Sequence, residues 1–289
     1  MKRIGVILVC FHTSKVTLTC AEMYAKMKCV DWVVIVDNET DAISKEVFDK
    51  IDNEKMSVLY QMKNLGYSKG NNVGIKYLMK NYDVNYIIVS NSDVLVNEKS
   101  ITHCINILEK NKSIGAVAPI MKDPYNCDYA LRFIKLGYLR ILLRVIVPEK
   151  TIDRMTQQFC KKTENIIQQS FLPGSFFISK TNALQDCGGF DERIFLYREE
   201  EILGKRLEKV NYIEAVVSDC YFIHKHDYKA ENAEIIYKRN IIAMKSEQLY
   251  FREYLNSNRL QMMYVILIEK IYIFTRYIAQ IVKDILKQI

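Results

Sequence analysis

Short apolar runs alternate with longer segments of helical spacing along the first part of the chain. The apolar runs are rich in valine and isoleucine and occupy residues 4–10, 32–37, 56–61, 86–93 and 114–120. The segments between them, at about 14–28, at 42–51, up to Met79 and at 99–110, have the length and periodicity of helices. Strands that are apolar throughout and separated by helices indicate a parallel sheet covered on both faces.

Polar, small or acidic residues stand at the ends of these strands. The residues at or just past the carboxyl ends of four of the runs are Phe11 and His12; Asp37 and Asn38; Asn64, Leu65 and Gly66; and Asn91, Ser92 and Asp93. In α/β sheets of this kind a ligand binds beyond the carboxyl ends of the strands. We therefore expect these residues to line one pocket.

The alternation is lost between residues 121 and 170. Residues 129–148 place Arg132, Lys135, Arg140 and Arg144 among large apolar side chains. The segment is either a helix packed on the core with a solvated basic face or a contact for a membrane or lipid-linked acceptor. The earlier pattern then resumes, with strands at 171–179, 212–217 and 221–226 and a short helix at about 181–187.

The chain is predicted to be helical from about residue 229 onward. Residues 259–289 carry one polar stripe, formed by Glu269, Arg276, Gln280, Lys283 and Lys287, on a helix with a broad apolar face. Its longest charge-free runs, about nine residues, are too short to span a bilayer. We expect an amphipathic helix that lies on a membrane surface or packs against a partner, a second copy of the chain included.

Composition and charge narrow the function classes. The 289 residues are 49% apolar and 26% charged, as in folded globular proteins. The net charge of +7 favours anionic partners such as nucleotides, diphosphates or an anionic membrane, whereas no long Lys/Arg run points to nucleic acid. None of the eight cysteines forms a CxxC pair, which indicates reduced cysteines in a cytosolic protein. The basic, then apolar N-terminus predicts a first strand rather than a signal peptide.

Three motifs carry candidate chemistry. Asp93 in SNSD follows an apolar run and can hold Mg²⁺ or Mn²⁺ together with diphosphate oxygens, or can cap a turn. The glutamates of REEE (198–201) favour the start of a predicted helix through its dipole, or one of them is a general base. His224 and His226 in HKHD lie on one side of a strand end, where one could bind a metal and the other lie near phosphate, or both are surface residues.

The stretch NLGYSKGNNVGI (64–75) follows a strand and opens a helix. It matches neither the dinucleotide fingerprint GxGxxG nor the P-loop GxxxxGK[ST]. Backbone N–H groups at a helix start attract anions, and Gly70 and Gly74 permit a close approach to the sheet or to a ligand. With the uncharged amides of Asn64 and Asn72, the stretch suits a nucleotide-sugar better than a dinucleotide.

Together these motifs resemble the family 2 glycosyltransferases of the GT-A fold, particularly the rhamnosyltransferase-like enzymes of bacterial surface-polysaccharide synthesis. The resemblance covers about residues 3–227 and runs in order through VDNETD (36–41), NLGYSKGNNVGI and SNSD. Its most specific part is PGSFFISKTNALQDCGGFDERIFLYREEEILGKRL (173–207), which is similar to the family's G-[ST]-F-F, G-G-F-D-E and E-[DE] block.

The resemblance implies an α/β architecture in two parts. A GT-A catalytic domain, a Rossmann-like mixed sheet flanked by helices, would cover residues 1–228. Its nucleotide-binding part would lie at about 1–120 and its acceptor and catalytic part at about 121–228. A helical, amphipathic C-terminal extension would follow at 229–289.

The same resemblance implies an inverting transfer, in which Mg²⁺ or Mn²⁺ holds the donor diphosphate and a carboxylate deprotonates the acceptor hydroxyl. Glu200 is the implied base, with Glu199 as the alternative. Asp93 and His224 are the implied metal ligands, with His226 as a further candidate. The implied donor-binding residues are Phe11, Asp37, Asn38, Asn64, Gly66, Asn72, Asn91, Ser92 and Arg206, and the implied acceptor-side residues are Gly174, Asp191 and Tyr197.

Two positions depart from the family pattern. Asn91 replaces the first acidic residue of the DXD motif, so one carboxylate remains there. Glu201, Ile202 and Leu203 stand where many members have x-D-L.

The sequence therefore predicts a glycosyltransferase with a dTDP- or UDP-linked sugar donor and a glycan or polyprenyl-diphosphate-linked acceptor, peripheral on the cytoplasmic face of the cell membrane. Two alternatives remain. A sugar nucleotidyltransferase should carry a glycine- and lysine-rich loop after its first strand, which CFHTSK lacks. A non-catalytic nucleotide-sugar-binding protein would bind without turnover.

Overall fold

The computed structural model describes residues 2–123, 137–147, 151, 162–163, 165–225 and 232–286. The chain divides into two compact units. The first comprises residues 1–129, 161–195 and 199–226, and the second comprises 130–160, 196–198 and 227–289.

The first unit is built on one sheet of ten described strands. They are β1 (Ile4–Cys10), β2 (Trp32–Asn38), β3 (Met56–Gln61), β4 (Tyr86–Ser90), β5 (Val94–Val96), β6 (Ile114–Lys122), β7 (Lys162–Thr163), β8 (Ile166–Gln169), β9 (Phe176–Lys180) and β10 (Ile213–His224). The strand order is β3-β2-β1-β4-β9-β6-β10-β8-β7, and β5 pairs with β10 off this path.

The sheet is mixed. Strands β3, β2, β1 and β4 run parallel, as their buried valine and isoleucine runs predict. Strand β9 is inserted antiparallel between β4 and β6, and β10 runs parallel to β6. Strands β5 and β8 then pair antiparallel with β10.

Six described helices belong to the first unit: α1 (Ser14–Ala25), α2 (Ala42–Phe48), α3 (Tyr67–Asn81), α4 (Glu98–Lys110), α6 (Thr181–Cys187) and α7 (Glu199–Lys209). Apolar residues of the central strands and of α1 and α4 form one buried core, which includes Leu8, Ile35, Ile88, Ile101 and Phe222.

Helix α3 lies directly on β1, and two glycines make this possible. A Cβ atom on Gly74 would lie 2.6 Å from Ile7 Cγ2, and one on Gly70 would lie 3.1 Å from Val9 Cγ1. Of the two uses expected for these glycines, the structure therefore shows the close approach to the sheet.

The second unit is helical where it is described. It contains α5 (Gly137–Ile146), α8 (Ala233–Leu249), a π-helical turn (Tyr250–Tyr254) and α9 (Arg259–Leu286). Ile141, Phe251 and Val265 form its small buried core. The carboxylate of Glu247 accepts a hydrogen bond of 2.6 Å from Arg198 within this unit. None of the helices described is both long and apolar enough to cross a bilayer.

Three strand boundaries differ from the predicted ones. The run at 86–93 ends at Ser90, and a turn leads into β5. The run at 171–179 begins only at Phe176. The two predicted strands at 212–217 and 221–226 are one strand, β10, which continues through a register shift between Val217 and Tyr221. Residues 124–136 and His226 lie outside the described residues, as do the side chains of Arg140 and Arg144.

Candidate active site

The parallel strands bring their polar ends to one edge of the sheet. Cys10 at the end of β1 is in register with Asp37 on β2, and Asp37 is in register with Tyr60 on β3. On the other side, Leu8 is in register with Ser90, the last residue of β4. This register places the strand ends at one edge of the sheet, as the sequence predicts.

Asp37 is a buried carboxylate that is only half satisfied. It is 1% exposed, and its Oδ2 accepts a hydrogen bond of 2.7 Å from Ser44 Oγ. Ser44 is held by a reciprocal capping box with Asp41 at the start of α2. Asp37 Oδ1 accepts no hydrogen bond within the described part of the chain. Since a buried acceptor without a partner is costly, Oδ1 is suited to receive an N–H group of a ligand.

Phe11 and His12 extend β1 beyond the sheet. The Phe11 side chain is 45% exposed, and its ring lies 4.2 Å from the His12 ring, centroid to centroid. His12 Nδ1 lies 3.2 Å from Asp41 Oδ2, and His12 Nε2 lies 3.5 Å from Glu39 Oε2. An exposed aromatic ring just past the end of β1, the strand that pairs with the Asp37 strand, is a surface on which a planar base could stack.

Asn38 and Asn64 shape the loop between β3 and α3. The Asn38 amide donates to Asn64 Oδ1 at 3.1 Å and to Gly66 O at 3.3 Å, and its Oδ1 accepts from Leu65 N at 2.9 Å. Gly66 has φ +79°, and a Cβ atom there would lie 2.3 Å from Phe195 O. These two predicted donor-binding amides are therefore engaged in holding the loop that opens α3.

Asn72 connects α3 to the GGFDE segment. Its amide donates to Phe190 O at 2.9 Å and to Glu192 Oε1 at 3.2 Å, and Phe190 N donates to its Oδ1 at 3.0 Å. The carboxylate of Asp191 accepts from the Arg193 guanidinium, with Nη2–Oδ2 2.7 Å. Arg206 donates to Cys187 O and Gly188 O, at the end of α6. All three side chains therefore form hydrogen bonds within residues 187–193, the segment that precedes α7.

Asp93 and His224 meet although they are far apart in sequence. Antiparallel pairing of β5 with β10 places His224 opposite Val94, and His224 Nε2 lies 3.1 Å from Asp93 Oδ1. Ser92 Oγ lies 2.7 Å from Thr17 Oγ1, and Asn91 N donates to Ser175 O at 2.8 Å. The structure thus brings together the two residues that were predicted to bind a metal, on a well-anchored turn.

The Glu200 carboxylate lies against the backbone of Gly174. Both lie in the first unit, and a Cβ atom on Gly174 would lie only 2.1 Å from Glu200 Oε1. The Tyr67 hydroxyl donates to Gly174 O. Burial raises the pKa of Tyr67 well above its usual value, and the charges of Glu200 and Glu199 raise it further. Both carboxylates therefore lie near Tyr67, at the start of α7.

Glu199 and Glu200 differ in access to solvent. Glu199 is 6% exposed, whereas Glu200 is only partly buried and faces the Gly174 loop. Tyr197 and Arg198, just before α7, have φ of +70° and +68°. Non-glycine residues in this conformation are strained, typically by about 1–3 kcal/mol each, and such strain is concentrated at functional sites. Tyr197 belongs to the second unit, and its predicted acceptor-side role stays a prediction.

Comparison with known proteins identifies the family of this chain. The sequence model of the family described as Glycosyl transferase family 2 matches residues 6–192, well over half of the chain. The chain belongs to glycosyl transferase family 2. The family prediction made from the ordered motifs is thereby confirmed.

This family 2 chain also has a curated relative. It is 26% identical over 144 residues to the N-acetylglucosaminyl-diphospho-decaprenol L-rhamnosyltransferase of Mycobacterium tuberculosis. The match covers 48% of this chain and 46% of the relative, so the chain spans less than half the length of that protein.

Solved structures with similar coordinates confirm the GT-A fold. GalNAc-T7 with UDP, GalNAc and Mn²⁺ aligns with a TM-score of 0.61 and 11% identity, over 88% of this chain and 49% of that one. The mannosyltransferase PcManGT of Pyrobaculum calidifontis, in complex with GDP-Man and Mn²⁺, aligns with a TM-score of 0.58 and 10% identity, over 97% and 74%. Residues 1–349 of TarS from S. aureus align with a TM-score of 0.53 and 17% identity, over 96% and 72%.

The donor atoms at Asp93 and His224 fit a divalent metal. Asp93 Oδ1 and His224 Nε2 lie within hydrogen-bond distance, at 3.1 Å, so that a carboxylate oxygen and an imidazole nitrogen, both donor types that a divalent metal accepts, would be available side by side. In the described part of the chain, no group of three or more His, Cys, Asp or Glu side chains could hold a metal. Two protein ligands leave positions for diphosphate oxygens and water, as Mg²⁺ and Mn²⁺ sites often do.

Sequence reasoning missed one buried carboxyl, which lies beneath the helix that carries Glu199 and Glu200. Glu214 on β10 is 3% exposed, and burial, followed by the charge of Glu200, raises its pKa well above the usual value. The one acidic residue within the apolar run YIEAVV was the available signal. It was overlooked because the pattern alone predicts only a strand.

Proposed function

We propose that this protein is an inverting glycosyltransferase that moves a sugar from a nucleoside-diphosphate donor to a hydroxyl of a glycan or lipid-linked glycan acceptor. The observation that carries the proposal is the presence, in one unit, of a metal-type pair (Asp93 and His224) and a partly buried carboxylate beside a loop (Glu200 at Gly174). Family membership supports a sugar donor for this arrangement.

The donor end of the reaction uses three groups. Asp37 Oδ1 accepts an N–H of the nucleobase, and the exposed Phe11 ring, just past the end of the neighbouring strand β1, stacks on the base. Asp93 and His224 would hold Mg²⁺ or Mn²⁺, which when bound neutralises charge on the departing diphosphate. The net charge of +7 adds to the attraction of the anionic donor.

The acceptor end uses Glu200. Its carboxylate takes the proton of the acceptor hydroxyl, and the oxygen attacks the anomeric carbon from the side opposite the diphosphate. The bond from that carbon to the diphosphate oxygen breaks, so the configuration inverts. Glu200 is favoured over Glu199 because Glu199 is buried, while Glu200 faces the Gly174 loop.

The acceptor and the donor sugar are proposed from the curated relative. Its name describes transfer of L-rhamnose to N-acetylglucosaminyl-diphospho-decaprenol. We accordingly propose a dTDP- or UDP-linked sugar, rhamnose first among them, and a polyprenyl-diphosphate-linked acceptor of surface-polysaccharide synthesis.

The second unit supplies a membrane-facing element. Eight exposed apolar residues recur along α9 at steps of three or four: Leu260, Met263, Leu267, Ile271, Phe274, Ile278, Val282 and Ile285. They are 41–76% exposed, and the stripe is about 37 Å long at 1.5 Å per residue. The exposed charged side chains described on α9 are all basic: Arg259, Lys270, Arg276 and Lys283. This combination suits the anionic inner face of a cell membrane.

Nucleotide binding and sugar transfer test the proposal separately. We expect UDP or dTDP to raise the melting temperature in the presence of Mn²⁺ and not in its absence, because a ligand of the folded state stabilises it. Asp93→Asn should abolish the Mn²⁺-dependent rise in melting temperature. Glu200→Gln should keep the stabilisation and lose transfer to a polyprenyl-diphosphate-linked N-acetylglucosamine by about 10²–10⁴-fold. Stabilisation without any transfer by the wild type would instead support a non-catalytic binding protein.

A further inference from the structure

Glu214 is a buried carboxyl in a part of the fold where an apolar side chain would be expected. It lies on β10, opposite Ala116 of β6 on one side and Gln169 of β8 on the other. Its Oε2 is buried and receives no hydrogen bond from any described residue. A carboxylate in such a place would be strongly disfavoured, so the group stays protonated.

Helix α7 carries both Glu200 and the glycine that lies against Glu214. Glu200 and Gly204 are four residues apart and therefore lie on the same face of α7. A Cβ atom on Gly204 would lie 2.6 Å from Glu214 Oε2 and 2.2 Å from Ser170 O. The glycine thus lets this face of α7 lie directly on the strand that carries Glu214, one helical turn beyond the expected base.

The surroundings of Glu214 contain few other charges. From β8 it meets the neutral Gln169, and from β6 it meets apolar residues. From α6 the thiol of Cys187 interacts with the charge of Glu214, and the pKa of that thiol is raised mainly by burial. Arg206 donates its guanidinium hydrogen bonds to the carbonyls of Cys187 and Gly188. Glu200 is the ionisable neighbour whose charge acts on Glu214.

We propose that Glu214 is a positioning residue for the base: held neutral beneath α7, it fills the space under Gly204 without adding a second negative charge, and so holds this face of α7, and Glu200 one turn away, in place. This inference rests on the proposed function for the role of Glu200. The two carboxyl groups then have different roles because their environments differ: Glu214 keeps its proton, and Glu200 is ready to accept one.

The protonation of Glu214 has a test that does not require activity. A glutamic acid whose pKa is raised in the folded state releases its proton on unfolding, so its contribution to stability is lost as pH rises above the ordinary value of 4.5. The neutral variant Glu214→Gln has no such loss. We expect the melting temperature of Glu214→Gln minus that of the wild type to increase as the pH rises above about 5. Glu54→Gln, at an exposed position, is the matched control and should give a small, constant difference.

The positioning role is tested by kinetics. Glu214→Gln should retain the wild-type kcat within about twofold at neutral pH, since it keeps the shape and the neutral state. Glu214→Ala leaves a space under Gly204, into which α7 can shift, and should lower kcat at least about tenfold, with the KM for the donor unchanged. Equal losses of kcat in Glu214→Gln and Glu214→Ala would overturn the proposal. So would a melting-temperature difference between Glu214→Gln and the wild type that does not change with pH. If the wild type transfers no sugar, the proposed function fails, while the pH series still reports the proton on Glu214.

Discussion

The backbone of Gly174 lies so close to the Glu200 carboxylate that a single methyl group would collide with it. The Cβ atom of an alanine would lie 2.1 Å from Glu200 Oε1 and 3.1 Å from its Cγ. The side chain of Glu200 would have to turn away, while Asp37 and Asp93 would keep their own contacts. The role of Gly174 is therefore to leave room for the carboxylate.

We expect Gly174→Ala to lower kcat about 100-fold, because displacement of a catalytic group by about 1 Å has effects of that size. Stabilisation by nucleotide with Mn²⁺ should be unchanged. Steady-state kinetics and thermal shift with the same preparation check both parts. Gly115→Ala, whose Cβ would meet Tyr212 instead, is a control for general destabilisation. Normal turnover by Gly174→Ala would show that Glu200 does not act from this position.

At the scale of elements, the contact of α3 with β1 determines where the loop between β3 and α3 ends. Ile7 is fully buried and branched at Cβ, so it cannot move aside easily. A methyl group on Gly74 would lie 2.6 Å from Ile7 Cγ2, whereas one on Gly70 would lie 3.1 Å from Val9 Cγ1. The two glycines are thus a matched pair on one helix face.

Gly74→Ala should lower the free energy of unfolding by about 1–3 kcal/mol through overpacking. Gly70→Ala should change it by less than about 1 kcal/mol, because the gain in helix propensity, also about 1 kcal/mol, offsets a milder contact. Urea denaturation of both variants measures the difference. A Gly74→Ala variant as stable as the wild type would mean that α3 can move away from β1 without loss.

Much of this element structure could be predicted from sequence, because local patterns determine it. The strands β1 to β3 and the helix α4 match their predicted spans within about two residues, since buried valine runs and capping residues mark them. Strand β10 was predicted as two strands because the polar pair Ser218 and Asp219 is typical of a turn. In the structure a register shift carries the strand past them.

The site was less predictable, because pairing between distant strands creates it. Asp93 and His224 were named separately, from their own motifs and then from the family resemblance, while their contact results from β5 and β10 lying side by side. Asn38 and Asn72 could not be separated from ligand-binding residues, since an amide that holds a loop and one that holds a ligand look alike in sequence. Glu214 is recognised only when α7 is placed on β10.

At the scale of the whole molecule, the apolar stripe of α9 leaves two occupants to be distinguished, a membrane and a second copy. Its exposed charges are all basic, so a second α9 would bring like charges together, whereas anionic lipid would neutralise them. The stripe lies on the side of α9 away from Val265, Glu269 and Ile273, which are buried in the second unit. We therefore favour the lipid surface.

Leu267→Asp with Phe274→Asp should remove binding to vesicles that contain anionic phospholipid, because two charges would enter the apolar stripe. Thr275→Asp with Ala279→Asp adds the same charge at exposed positions beside the stripe and should retain most of the binding. Co-sedimentation at low and high salt gives the readout, and binding should weaken with salt through the basic residues. If both double variants bind like the wild type, α9 is not the membrane contact. If the stripe variant instead converts a dimer to a monomer in light scattering, the stripe joins two copies of the chain.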